Sequence, residues 1–167
     1  KSILDEANQA VQNGYSEITL LGQNVNSYKF EGLKFLNLLE EVAQVPGLKR
    51  IRYTSPHPKD ITEDLLLVMA KHDNICNYVH LPVQAGNNRI LKRMNRTYTR
   101  EHFIELSKMI REILPNVGIS TDIIVGFPGE TNSEFEETLD LMEKVKFDSA
   151  FNFKYSSRPG TKASEYD

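Results

Sequence analysis

The stretch Ile119-Ser120-Thr121-Asp122-Ile123-Ile124-Val125-Gly126-Phe127-Pro128-Gly129-Glu130-Thr131 decides the fold. Its β-branched run Ile119–Val125 predicts a strand bounded by a glycine turn. Thr131 with Glu134 forms a capping box and opens a helix predicted to reach Lys146. A strand feeding a helix through a short Gly-Pro-Gly loop is one β/α unit. Asp122 sits in an otherwise apolar strand, where a carboxylate needs partners. Gly126 and Gly129 let the backbone approach a ligand closely, and the following helix N-terminus favours negative charge. The same glycines also suit an ordinary turn.

The unit repeats outward in both directions. Strands are predicted over Glu17–Gly22, Lys49–Thr54, Tyr78–Val83 and Ser149–Tyr155, and Val25–Lys34 reads as a loop. Helices are predicted from Ser2 to Asn13, over Phe35–Ala43, from Thr62 to His72, near Asn87–Met94 and from a Thr99 cap to Leu114. Helix and strand alternate throughout, which predicts an α/β fold of parallel βαβ units. An open doubly wound sheet and a barrel both fit. The polar or glycine-bearing end of every strand leans toward a partial barrel, whose site lies at the carboxyl ends of its strands. A barrel of this kind begins with a strand. The helix-first order and the non-Met Lys1 therefore lead us to expect a further βα element before residue 1.

The 167 residues carry a net charge of −3, with 40% apolar and 26% charged residues, so the chain can bury a core and is not predicted to be disordered. No apolar run has the length of a membrane span and no leader pattern opens the chain. We therefore expect no membrane association and a cytoplasmic location. Cys76 is the single cysteine, so the sequence supplies no metal-ligand set.

The remaining strand ends carry the candidate chemistry. Gly22-Gln23-Asn24-Val25-Asn26-Ser27-Tyr28 is rich in amides, suited to a ligand or to a turn. Ser55-Pro56-His57-Pro58 holds an imidazole between two prolines. In His80-Leu81-Pro82-Val83-Gln84-Ala85-Gly86, Pro82 removes a backbone donor, while Gln84 offers both a donor and an acceptor. Arg89, Lys92, Arg93, Arg96 and Arg100 form a basic run without an acid between Gly86 and Arg100. If the run were one helix, its arginines would share a face and make a phosphate-contacting strip or a solvated surface.

Leu20–Tyr28, Ser55–Pro58, His80–Gly86, Met94-Asn95-Arg96, Asp122–Thr131 and Tyr155–Thr161 occur in this order, and together they resemble the radical SAM domain of the methylthiotransferases. The resemblance runs along the whole chain. It is nearest to the members acting on N6-isopentenyladenosine beside the tRNA anticodon, chiefly through Gly22–Tyr28. It implies a partial (β/α)6 TIM-like barrel, which over residues 1–167 would lack its first strand and cluster loop. It also implies S-adenosylmethionine and [4Fe–4S] clusters as cofactors, a 5′-deoxyadenosyl radical that takes a hydrogen atom from the substrate, and tRNA, through its anticodon stem-loop, as partner. By resemblance, Gly22, Gln23, Gln84, Asp122, Gly126, Gly129 and Glu130 match cofactor-binding positions. Asn24, Asn26, Tyr28, His57, Arg96 and Arg158 are candidates on the substrate side.

The sequence departs from the family in one respect: it has no Cys-x3-Cys-x2-Cys segment. The expectation is a core domain separated from its cluster-bearing N-terminal and RNA-binding C-terminal domains, inactive alone and prone to aggregate through an unpaired parallel edge. Alternative readings are a ribosomal-protein methylthiotransferase and a non-catalytic barrel fragment that binds RNA through the basic run. A barrel hydrolase or aldolase would need a strand-end nucleophile or Schiff-base lysine, and none stands out.

Overall fold

The computed structural model describes residues 2–54 and 57–166. Ser55 and Pro56, half of the Ser-Pro-His-Pro reading, lie outside the described residues. The chain divides into two compact units, one of residues 1–80 with 110–117 and one of residues 81–109 with 118–167.

In the first unit, α1 (Ser2–Gln12) buries Ala7 and stops at Gly14, whose φ of +88° suits a residue without Cβ. Strand β1 (Glu17–Leu20) pairs in parallel with β4 (Arg50–Tyr53), Ile18 facing Ile51 and Leu20 facing Tyr53. Residues 74–76 continue this ladder: Ile51 N–H donates to the Asn74 carbonyl at 2.8 Å and Cys76 N–H to the Ile51 carbonyl at 2.9 Å. The Asn74 side chain also donates to the Ala43 and Leu48 carbonyls, tying the turn after α2 to this strand.

The predicted loop Val25–Lys34 is instead a 3-10 turn, Val25–Ser27, and an antiparallel hairpin of β2 (Lys29–Phe30) and β3 (Leu33–Lys34). Glu31 and Gly32 both take positive φ, as a two-residue hairpin turn requires. Helix α2 (Phe35–Ala43) turns Phe35, Leu39 and Val42 into the core, where the Phe35 ring meets Tyr53 edge-on. Helix α3 (Glu63–Lys71) starts at Thr62, whose hydroxyl accepts from Leu65 N–H, and β5 (Tyr78–His80) closes the unit's strands. Burial of the Tyr53 hydroxyl pushes its pKa up.

The second unit opens with residues 81–84 running beside β6. Short helix α4 (Asn88–Arg93) and helix α5 (Arg100–Ile113) follow, then β6 (Gly118–Val125), α6 (Asn132–Val145) and β7 (Ser149–Lys154). Strands β6 and β7 are parallel from Ser120–Ser149 to Val125–Lys154. The predicted strand Tyr78–Val83 ends early at His80 because Pro82 has no N–H to give. The neighbouring donors pass around it: Leu81 N–H donates to the Ser120 carbonyl, Val83 N–H to the Thr121 hydroxyl and Gln84 N–H to the Asp122 carbonyl. The Tyr98 hydroxyl donates to the Pro82 and Val83 carbonyls, and burial pushes its pKa up to about 12.

Gly86 is the tightest point of this unit. A Cβ there would come within 2.4 Å of the Thr138 Cα on α6. Its N–H donates to the Thr138 hydroxyl at 2.9 Å. The Thr131–Glu134 capping box forms as the sequence predicts, and Lys146 ends α6 in the left-handed region at φ +54°. No helix among the described residues is long and apolar enough to cross a membrane.

Candidate functional site

Gly22, Gln23 and Asn24 follow β1 as an exposed segment leading into the 3-10 turn. Asn26 and His57 are brought into contact. The Asn26 side chain both donates to and accepts from the His57 backbone. Its amide is therefore committed to joining two strand ends, a structural role that the turn-or-ligand reading left open. The imidazole Nδ1 of His57 accepts from Lys59 N–H at 3.3 Å, capping the 3-10 turn Pro58–Asp60. Asn26 and Tyr28 both line a cavity of about 400 Å³, with Lys29, Lys34, Lys59 and Asp60.

In the second unit, Gln84 has an unusual position. It is 8% exposed and its φ is +71°, a conformation that costs a side-chain-bearing residue about 1–3 kcal/mol. Backbone bonds on both sides hold it there: its N–H donates to the Asp122 carbonyl and its carbonyl accepts from Ile124 N–H. A buried residue in a strained backbone between strand ends presents its amide from a fixed position. Asp122, read from the sequence as buried, is half-buried instead, on the strand face that alternates with the buried Thr121 and Ile123.

Gly126 and Gly129 adopt φ of +68° and +72°, and a Cβ at Gly126 would meet nothing within 4 Å. Room for a ligand therefore exists at this loop. Its anion-binding capacity is already filled from within. Glu130 Oε2 accepts from Gly126 N–H at 2.7 Å and from Phe127 N–H at 3.3 Å. At the head of α6, Glu134 accepts from Thr131 N–H and pairs with both arms of the Arg89 guanidinium. The Arg89 hydrogen bonds, then the Thr131 backbone, hold the Glu134 carboxyl down to about 2. Glu130 thus shapes the loop, and the helix N-terminus is capped by the chain's own carboxylate rather than left open.

The basic run does not form one face. Helix α4 stops at Arg93, and Asn95 takes a left-handed φ of +57°. Asn95 N–H donates to the Lys92 carbonyl and Arg96 N–H to the Leu91 carbonyl, the two bonds of a Schellman end. Arg89 is spent on Glu134 and the Gly129 carbonyl. Arg100 is buried, with its guanidinium on the Gly86 and Glu137 carbonyls and on Asp140. Neither remains for a phosphate, which corrects the strip reading at its two ends. Lys92, Arg93 and Arg96 stay together on a cavity of about 600 Å³. Lys162 and Tyr166, which the sequence reading passed over, join them from the 3-10 turn Lys162–Glu165 and the residue after it. Their signal was a lysine and a tyrosine four residues apart just after the Gly160-Thr161 turn.

Arg158 lies beside a neighbouring cavity of about 470 Å³ with Ile124, Phe153 and Tyr155. Its carbonyl accepts from Thr161, fixing that turn. The Tyr155 hydroxyl is buried without a partner among the described residues, and its ring packs edge-on against Phe127.

No set of three or more His, Cys, Asp or Glu able to hold a metal occurs among the described residues. An iron–sulfur cluster needs several thiolates, and Cys76 alone does not fit one.

Comparison with known proteins places these features. The description of the radical SAM superfamily matches residues 1–142. A Moorella thermoacetica protein named tRNA-2-methylthio-N(6)-dimethylallyladenosine synthase is 52% identical over 166 residues, covering 98% of this chain and 37% of that protein. A protein of the same name from Carboxydothermus hydrogenoformans is 53% identical, covering 99% of this chain and 38% of its own length. The chain thus spans under two-fifths of the length of these relatives. Among solved structures, coproporphyrinogen III oxidase from Escherichia coli, described as a radical SAM enzyme, matches 97% of this chain and 39% of its own, with a TM-score of 0.66 at 19% identity. The radical S-adenosylmethionine methyltransferase TsrM from Kitasatospora setae matches 92% of this chain and 30% of its own, with a TM-score of 0.70 at 16% identity. These two show the fold alone. By sequence and by fold, this chain belongs to the radical SAM superfamily.

Proposed function

We propose that this chain forms the S-adenosylmethionine-binding core of a methylthiotransferase that modifies N6-isopentenyladenosine beside the anticodon of tRNA, in the cytoplasm. The observation that carries the reading is Gln84, a residue 8% exposed and held at φ +71° by backbone bonds to Asp122 and Ile124. The identity of about half the residues to proteins named for this modification supports the substrate. S-adenosylmethionine, when bound, supplies the hydrogen-abstracting and methyl-donating chemistry; the protein's part is to orient and enclose it. Gln84 would hydrogen-bond the cofactor from its locked backbone, and Asp122 would accept from a cofactor hydroxyl or amine. The Gly126 loop, kept open by Glu130, would admit the flat face of the nucleoside. The cysteines that would hold a cluster are not among these residues.

Two assays test this in the whole protein. The first follows reductive cleavage of S-adenosylmethionine and the second follows methylthio transfer. Gln84→Ala is expected to lower both by about 100-fold, as expected for loss of a positioning contact that acts on the bound cofactor. Cleavage at the wild-type rate in Gln84→Ala would refute this assignment. Offering an isopentenylated anticodon stem-loop beside a ribosomal-protein peptide separates the two methylthiotransferase readings, and product on the peptide alone would overturn the tRNA substrate.

A further inference from the structure

We infer that Tyr98 and Thr121 are positioning residues for Gln84: their hydroxyls brace a one-residue bulge ahead of it and so fix the place from which its amide meets S-adenosylmethionine. This rests on the cofactor-binding role proposed for Gln84 and names the side chains that set that residue's geometry.

Three observations support it. The register beside β6 slips by one residue. Leu81 N–H donates to the Ser120 carbonyl and Gln84 N–H to the Asp122 carbonyl, so three residue steps on one strand run against two on the other. An added residue of this kind leaves its own peptide groups outside the ladder and re-aims a side chain. Next, two hydroxyls take up the groups left out. Thr121 Oγ1 accepts from Val83 N–H at 3.0 Å and donates to the Leu81 carbonyl at 2.8 Å. The Tyr98 hydroxyl lies 3.0 Å from the Pro82 carbonyl and 3.1 Å from the Val83 carbonyl, and donates between them. Pro82 itself has no N–H to give. Every backbone donor and acceptor from Leu81 to Gln84 is thereby partnered. Finally, both hydroxyls are themselves held. Thr121 is fully buried on β6, and the buried Tyr98 ring packs against Phe103 of α5 at 6.1 Å. Burial pushes the Tyr98 pKa up to about 12, which keeps its hydroxyl a donor near neutral pH. A left-handed backbone at a residue with a side chain persists only where its surroundings over-determine it. The backbone bonds to Asp122 and Ile124 hold Gln84 directly, and the two hydroxyls hold the chain that leads into it.

The test is a double-mutant cycle between Tyr98→Phe and Gln84→Ala in the whole protein. It is read by equilibrium binding of S-adenosylmethionine and by hydrogen exchange over residues 81–86, neither of which needs turnover. Tyr98→Phe is expected to speed exchange at the Gln84 amide and to weaken S-adenosylmethionine binding about 5- to 10-fold, with the KM for tRNA within about 2-fold of wild type. In the Gln84→Ala background the same change is expected to move binding by less than about 2-fold, because the residue it positions is gone. Thr121→Val is expected to follow Tyr98→Phe, while Thr121→Ser, which keeps the hydroxyl, is expected to restore exchange and affinity. Faster exchange in Tyr98→Phe at wild-type affinity would make the hydroxyl a purely structural group and overturn the inference. So would losses that add in the double variant. Wild-type affinity in Gln84→Ala would overturn both this inference and the role of Gln84 beneath it. A loss in Gln84→Ala with none in Tyr98→Phe would overturn this inference alone.

Discussion

The side-chain amide of Asn26 grips the backbone of His57 at both of its polar groups: Asn26 Nδ2 donates to the His57 carbonyl at 3.1 Å, and His57 N–H donates to Asn26 Oδ1 at 2.9 Å. One amide thereby does the work of a strand's hydrogen-bonding edge where the β1 and β4 connections come together. Asn26→Ala would leave both His57 groups without this partner, at a cost of about 1–2 kcal/mol. Hydrogen exchange at the His57 amide is expected to speed up in Asn26→Ala, and less so in Asn26→Asp, which keeps the acceptor. Unchanged protection in Asn26→Ala would show that the clamp is not formed.

Gly86 tolerates no side chain. A methyl group there would sit 2.4 Å from the Thr138 Cα and 2.6 Å from the Glu137 carbonyl oxygen, both backbone atoms. Gly86→Ala is expected to destabilise the fold by about 3 kcal/mol, at the upper end of overpacking costs. Urea unfolding checks this, with a lower midpoint at unchanged slope as the expected result.

Arg100 is a structural cation. Its guanidinium serves the Gly86 carbonyl, the Glu137 carbonyl and Asp140. Arg100→Met is expected to cost about 2–4 kcal/mol, because the Gly86 and Glu137 carbonyls lose their donor, while Asp140 keeps Lys144. Urea unfolding of Arg100→Met checks this, and a midpoint at the wild-type value would contradict it.

Acid stability follows from Glu134. Its carboxyl is lowered from 4.5 to about 2 by the Arg89 hydrogen bonds first and the Thr131 backbone next. A depressed carboxylate stabilises the fold fully above its unfolded value and loses that contribution as pH falls through its folded value. The window is therefore from about 4.5 down to about 2. Glu134→Gln removes the ion pair while keeping an acceptor for Thr131 N–H, at a cost near neutral pH of about 1 kcal/mol. The stability gap between wild type and Glu134→Gln is expected to narrow as pH falls through this window. A gap that stays constant would contradict the assignment.

The α/β alternation was legible because each strand and helix carries its own local signal. Thr62, Asn87 and Thr131 cap helices, Gly14 stops one, and Ile119–Val125 is β-branched. The hairpin at residues 29–34 was not legible, since Glu31 in the left-handed region is an uncommon first turn residue and each strand has only two residues. The strip Arg89–Arg100 was misread for a physical reason. Helical periodicity carries a face forward only while the helix lasts, and α4 ends at Arg93. Which arginines are neutralised depends on Glu134 and Asp140, dozens of residues away, and no spacing rule reaches that far. Among the candidate site residues, the sequence offers Gln84 only as a donor and acceptor at a strand end. Its strained backbone and the loop-shaping role of Glu130 appear only once β6 and α6 are in place.

The proposed function makes this chain the core of a tRNA methylthiotransferase. The most direct measurement is nucleoside mass spectrometry of tRNA from a host lacking that activity, supplied with a chimera in which this chain replaces the matching segment of the Moorella thermoacetica relative. 2-Methylthio-N6-isopentenyladenosine is expected to reappear, and to be lost again in the Gln84→Ala chimera. A folded, iron-loaded chimera that leaves N6-isopentenyladenosine unmodified would contradict it.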